Sequence, residues 1–410
     1  MQFPPIVPAG AVDFCALYST PPRSGGGGGG DELLEASRAR LQLCSVLPRL
    51  ASRMTREGGA VSLRELRAAT QAAHAYHEAY MNGALPHLER NSRTRAPLVF
   101  SWRHALFSSG SSQLVEDTGV LFEACASAAA LAVCTLNLGG AASTQERDDA
   151  LAALHRVRTN VLPRMVYRHV APPLVHREPV FACDSLHEAL QHALRGSQAA
   201  AAVRQNMATT APVPGAVAAF EALRHYMAAA AAMPQLERHD GLQRAQSASA
   251  GVAHYYLAQA VLAHGGAQHV GVAVACAREA ARLTGDTAPS VRSYAATLER
   301  DNDVGALGAY AVPDASALRI VPGAVFSVTC AADAADGAAP PRYTITLPTA
   351  AATTAAPPPS LEEAAADGGE DLQLAVDELL SSEAAAAVPD GLPVVAEESE
   401  ERQPGNDVDD

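Results

Sequence analysis

Residues 114–140 read LVEDTGVLFEACASAAALAVCTLNLGG, and between Val120 and Leu138 the only charged side chain is Glu123. Leu114, Leu121, Phe122, Cys125, Ala129, Ala132 and Leu136 follow a helical repeat. A helix that is apolar on most of its sides must be surrounded by other elements. The stretch therefore predicts a long central helix, stopped by Gly139-Gly140, inside a helical body. The composition agrees: 48% of the 410 residues are apolar but only 5% aromatic, and alanine dominates. Alanine is the best helix former and a poor strand former. The expected core is close-packed helix with small side chains, in one large domain or two ordinary ones.

Working outward, further amphipathic stripes appear. Leu34, Leu41, Cys44 and Leu47 follow the acidic first turn Asp31-Glu32. Leu63, Leu66, Ala69, Ala73, Tyr76 and Tyr80 form a second stripe, and Leu151, Leu154, Val157, Val161 and Met165 a fourth. Leu186, Leu190, Leu194, Val203 and Met207 form the fifth. Pro212-Val213-Pro214-Gly215 predicts a tight turn into a sixth helix carrying Val217, Phe220, Leu223 and Met227. Leu242–Leu262 and Val270–Leu283 predict a hairpin across Gly265-Gly266, and Val291, Tyr294 and Leu298 a last helix. Alternating Val12, Phe14 and Ala16 predict a short N-terminal strand, followed by a Gly25–Gly30 loop. Pro172-Pro173 and Pro179 mark another loop. Extended texture returns at Leu318–Val328 and Tyr343–Leu347. The expected fold class is all-α: a curved array of helical hairpins with a small β element from the N-terminal strand and the C-terminal extended segments. The expected divisions are an arm and Gly-rich loop (1–30), a helical domain with a return segment (31–348), and an acidic tail (349–410) bearing an amphipathic segment, Leu372–Leu380.

The net charge of −14 belongs to the tail, which from Thr349 onward carries sixteen acids against one Arg, leaving the body at about +1. Such a tail repels nucleic acid and anionic lipid. All thirty basic residues are Arg, which excludes a Schiff-base or phosphate-loop lysine. Seven scattered cysteines, none in a C-x-x-C pair, fit free thiols in a reducing compartment. No apolar run is read as a membrane span. Met1–Pro5 lacks a basic n-region, and Asp407–Asp410 is no prenylation box, so a cytoplasmic location is expected. His74-x-x-His77-Glu78 has the wrong order for a zinc-protease motif. Cys183 with His176 or His187 lacks a nucleophile signature. His264 and His269 flank a turn, and Asp301-Asn302-Asp303 lacks calcium-loop spacing. No catalytic residue, metal or cofactor is assigned, and the chain is not expected to be an enzyme.

Leu298-Glu299-Arg300-Asp301-Asn302-Asp303, followed by Ala311-Val312-Pro313-Asp314, resembles the closing signature of the BRO domain family. Other segments fall in that family's order: Val12-Asp13-Phe14, Ser37–Leu41, Phe100-Ser101-Trp102, Val120–Ala124, Asn160–Arg164 and Tyr255–Leu283. The resemblance covers about residues 10–330 and is to the BROX/ALIX-like branch. It implies a boomerang-shaped scaffold whose concave face binds the C-terminal amphipathic helix of an ESCRT-III filament subunit, peripheral on endosomal membranes through its partners. Carried over by position, the groove would include Ala201, Ala216, Val217 and Phe220, with Leu151 and Leu154 on the adjoining helix. Arg204 and Arg224 would form its rim. Ala201 and Ala216 are smaller than the family's usual residues, and two residues are added between Gln198 and Pro214. The family's long coiled arm and lipidation cysteine have no counterpart. On spacing alone, Phe220, Leu151 and Leu154 read as core residues before groove contacts, and Arg204 and Arg224 as solvated side chains. A generic helical adaptor holding an unrelated partner through its acidic tail is the alternative.

Overall fold

The computed structural model describes residues 3–15, 29–55, 61–90, 99–106, 112–166, 180–205, 210–237, 239–285, 288–305, 310–331 and 342–349. Gly25–Gly28, the Pro172-Pro173 loop, His176, Met207, the Arg204 side chain and the tail beyond Thr349 lie outside the described residues.

The fold is all-α, with helical hairpins stacked in series and two small sheets. The helices are α1 (Gly29–Met54), α2 (Leu63–Glu78), α3 (Leu85–Arg90), α4 (Val120–Leu138), α5 (Thr144–Arg156), α6 (Leu162–Val166), α7 (Asp184–Gln205), α8 (Pro212–Ala232), α9 (Pro234–Glu237), α10 (Asp240–His264), α11 (Val270–Thr284) and α12 (Pro289–Asp303). The strands are β1 (Val7–Pro8), β2 (Phe100–His104), β3 (Gln113–Asp117), β4 (Leu318–Gly323), β5 (Ser327–Ala331) and β6 (Arg342–Pro348). One apolar core gathers α1 to α7 with the first sheet and reaches Ala222, Tyr226 and Ala229 of α8, Leu236 of α9 and Leu242 of α10; a second gathers Val203 of α7 with the start of α8, the rest of α10, α11, α12 and β6.

α4 is the buried centre, as its composition requires. Val120–Ala141 is also long and apolar enough to cross a membrane, contrary to the sequence reading, but 94% of that window is covered by the protein itself. Gly139, at φ 54°, ends the helix in a conformation that side chains disfavour. Leu114 does not belong to this helix. It lies on β3, which pairs antiparallel with β2 in the register Trp102↔Val115, and β1 adds to the other edge of β2. The N-terminal strand is therefore Val7–Pro8, whereas Phe14 is buried and its amide donates to Ser37 Oγ at 2.9 Å.

The buried stripe of α1 is Leu33, Ala36, Arg40, Leu43, Leu47 and Leu50, while Leu34 and Leu41 face solvent. Arg40 sits inside this stripe, which hides the periodicity. Its guanidinium bonds the Glu123 carboxylate and donates to Tyr76 Oη and the Gly10 carbonyl, each at 3.0 Å. Tyr76 Oη also donates to Glu123, and Trp102 Nε1 donates to Glu123 Oε2 at 2.7 Å. The guanidinium lies 5.4–5.7 Å from the ring centres of Tyr76, Phe100 and Trp102, within cation–π range. Four elements and the N-terminal arm thus meet on one buried ion pair. Burial also raises the Tyr76 phenol pKa, so the group stays a donor.

Two helices widen to i→i+5 turns, Ala79–Ala84 and Val157–Val161. Each stands just before a proline, Pro86 or Pro163. A proline ring inside a helix clashes with the carbonyl four residues back and lacks an amide donor. The wider turn carries the chain past both problems: Leu85 N donates to Tyr80 O, and Leu162 N to Val157 O. α2 and α5 each begin with a capping box, Ser62/Glu65 and Ser143/Glu146.

Two buried asparagines fix the extended segments. Asn137 at the end of α4 accepts from Phe3 N at 2.6 Å and donates to Phe3 O at 2.9 Å. Asn302 in the last turn of α12 accepts from Tyr310 N at 2.9 Å and donates to Tyr310 O at 2.8 Å. The Asp301-Asn302-Asp303 signature is therefore a helix end holding the return segment. That segment leads to β4, which pairs parallel with β6, while β5 pairs antiparallel with the other side of β6.

Arg40→Met should strand the Glu123 carboxylate without a counter-charge and cost about 3–5 kcal/mol in urea unfolding followed by Trp102 fluorescence. Replacing both partners, Arg40→Met with Glu123→Leu, should recover most of that loss. Burial also pulls His77 down to about 3 and His187 down to about 4. Unfolded histidines titrate near about 6.5, so between these values the unfolded chain binds more protons and stability falls as pH falls. Tm should be highest above about pH 6.5 and drop steadily toward pH 4. His77→Gln with His187→Gln should flatten that slope.

Candidate functional site

α8 begins with two prolines in its first turn, positions where no amide donor is needed. The predicted tight turn at Pro212–Gly215 is thus the start of the helix itself. Gly215 then meets α10: a Cβ on it would come within 2.5 Å of the Tyr256 ring. This close approach sets the rotation of α8. It buries Ala216, Val217, Ala219, Ala222, Tyr226 and Ala229 against the hairpins, while Phe220 and Leu223 are half-buried and Met227 is 59% exposed.

The open face of α8 looks across to the second sheet. Between them lies a trough of about 790 Å³. The helix side of its lining is Val217, Phe220, Leu223 and Met227, and the sheet side is Ile320–Pro322 and Leu347–Thr349. Phe220 is held edge-on to His254, with ring centres 5.9 Å apart. At the rim, Arg224 Nε and Nη2 donate to Glu221 at 3.0 and 2.5 Å, which holds the Glu221 carboxyl below its usual pKa. His225 Nε2 lies 3.3 Å from the same carboxylate, and burial lowers its pKa. The site offers an apolar floor with an ion-paired rim, suited to holding an amphipathic surface.

Of the residues proposed from sequence, the structure brings Val217, Phe220 and Arg224 together here. Ala216 is fully buried beside them and has no surface to offer a partner. Ala201 lines a different feature, a cavity of about 40 Å³ enclosed by α7, α8 and α10 near Gly139-Gly140. Leu154 is fully buried in the first core and Leu151 packs against it, so neither reaches the trough. Leu223 and Met227 extend the Phe220 stripe by helical steps, a signal present in the sequence. Ile320, Pro322 and Leu347 depend on strand pairing, which no local pattern announces.

Other candidates resolve as structure. His77 is buried with Nδ1 2.9 Å from Ser127 Oγ, and His74 faces Asp149 at 3.5 Å. His187 is buried with Nε2 2.7 Å from the Phe181 carbonyl. Beside Cys183 is a recess of about 680 Å³, where Arg158 grips Asp184 at 2.6 and 2.9 Å and donates to Gln191 at 2.8 Å. That pairing joins the α5 end to the start of α7. Among the described residues no group of three or more His, Cys, Asp or Glu side chains is arranged to hold a metal ion.

Two solved structures resemble this architecture. One is ALIX in complex with the SIVmac239 PYKEVTEDL late domain, at TM-score 0.47 and 14% identity, covering 77% of this chain and 46% of that one. This chain thus spans about half the length of that protein. The other is an ALIX BRO1–CHMP4C complex, at TM-score 0.46 and 14% identity, covering 77% of this chain and 90% of that one. No protein-family model matches the chain, and no curated protein does.

Gly215→Ala should force the Tyr256 ring aside and cost about 1–3 kcal/mol, as overpacking does. Thermal unfolding should show it as a lowered Tm.

Proposed function

We propose that this chain is a non-catalytic adaptor that receives the amphipathic helix of an ESCRT-III-type filament subunit in the trough along α8. In this reading it serves endosomal sorting and membrane remodelling, and reaches membranes peripherally through its partners. The observation that carries the reading is the trough itself: an open apolar channel with Phe220 at its floor and Met227 exposed on its flank. A helix-in-groove contact needs apolar sockets at helical spacing with polar groups around them. Val217, Phe220, Leu223 and Met227 supply the first, and Arg224 and Glu221 the second. The segments that resemble the BRO domain family support the same reading independently of the trough. Phe100–Trp102, Ser37–Leu41 and Val120–Ala124 converge on one ion pair, so they act as parts of a scaffold.

The test is titration of a fluorescent C-terminal ESCRT-III helix peptide into the full chain. Binding with a micromolar Kd is expected. Phe220→Asp and Met227→Asp should each raise that Kd, with circular dichroism unchanged. Undiminished binding in both variants would remove the trough from the reading. It would favour an adaptor that works through its acidic tail instead.

A further inference from the structure

The trough sits where the tail leaves the body. Leu347, Pro348 and Thr349 line its sheet side, and the chain continues from Thr349 for another 61 residues. Within that stretch, Leu372, Ala375, Val376, Leu379 and Leu380 recur at i, i+3, i+4, i+7 and i+8, with Glu370, Asp371, Asp377 and Glu378 among and beside them. This pattern matches what a groove of this kind accepts. We propose that the segment Asp371–Leu380 of the same chain docks in the trough and occupies it when no partner is present. The inference rests on the trough being a helix-docking site, and adds that its first occupant is the protein's own tail.

Reach favours this occupant. From Thr349, an anchor already inside the trough, 21 residues separate the segment from the body, and a linker of that length reaches about 25 Å. Tethering at that distance corresponds to an effective concentration on the order of millimolar. An intrinsic affinity on the order of 100 µM then suffices to keep the trough mostly filled. Ten residues of helix span about 15 Å, a short ligand that a longer partner helix displaces by adding contacts. At the rim the acidic flank of the segment competes with Glu221 for Arg224, whose side chain is 71% exposed. The tail's net charge of −15 against a near-neutral body makes any attraction local to that arginine.

Amide hydrogen exchange on the full chain tests this without any added peptide. Residues 371–380 should exchange at least about tenfold more slowly in the wild-type chain than in the Val376→Asp/Leu379→Asp variant. Met227→Asp, a change at an exposed position, should release them to the same fast rate. Equal exchange in all three proteins overturns the proposal. Protection that disappears on dilution, together with a dimer mass by light scattering, also overturns it, because the occupant is then a second copy's tail. In the Val376→Asp/Leu379→Asp chain the ESCRT-III peptide should bind about tenfold more tightly than in the wild type. Tail protection with no peptide binding in that variant sinks the partner assignment alone. Peptide binding with no tail protection sinks this inference alone.

Discussion

The Arg40–Glu123 pair is the constraint around which the N-terminal half is arranged. Two charges with no access to water cost several kcal/mol each unless every lone pair and proton is matched. Here the match draws on α1, α2, α4 and β2 together: Tyr76 and Trp102 bond the carboxylate, while Gly10 and three aromatic faces meet the guanidinium, whose Nη2 has ring faces in place of a hydrogen-bond partner. None of these elements can shift by a residue without leaving a charge bare. The pair therefore selects one packing from the many that an alanine-rich helical chain could adopt. Small side chains fill space well but discriminate poorly between neighbouring registers.

The second half uses different means. Gly215 against Tyr256 sets how α8 turns, and Asn302 holds the return segment so that β4 and β6 arrive opposite α8. The trough is the gap these two settings leave. Its floor belongs to the second core, so the trough shares apolar contacts with α8, α10 and α11. The width of the trough is thus set by the relative position of a helix and a sheet.

Much of the helical body was legible from sequence. The α4 composition, the Gly265-Gly266 hairpin and the extended texture after Asp301 all reflect local physics that tertiary contacts reinforce. The misreadings have specific causes. Arg40 broke the α1 stripe because a buried charge looks like a surface one until its partner, 83 residues away, is known. Leu114 reads as part of the central helix because a five-residue strand against a hairpin partner leaves too little alternation to separate it. Pro212 and Pro214 resembled a turn because a helix start tolerates the same residues. At the site, Phe220 and its helical neighbours were visible, but the far wall came from strands that pair across gaps in the sequence. Leu151 and Leu154 followed a likeness of order, and the packing put them in another core.

The two asparagine clamps have a chemical consequence. In each, one side-chain amide both gives and takes a hydrogen bond from a single backbone unit, so the grip depends on the NH₂ group being present. Hydrolysis of that amide to a carboxylate exchanges the nitrogen for oxygen. The donated bond to Tyr310 O then becomes two oxygens facing one another inside the protein. Loss of that one nitrogen at Asn302 therefore loosens the strand wall from its anchor while leaving the helices to their own contacts.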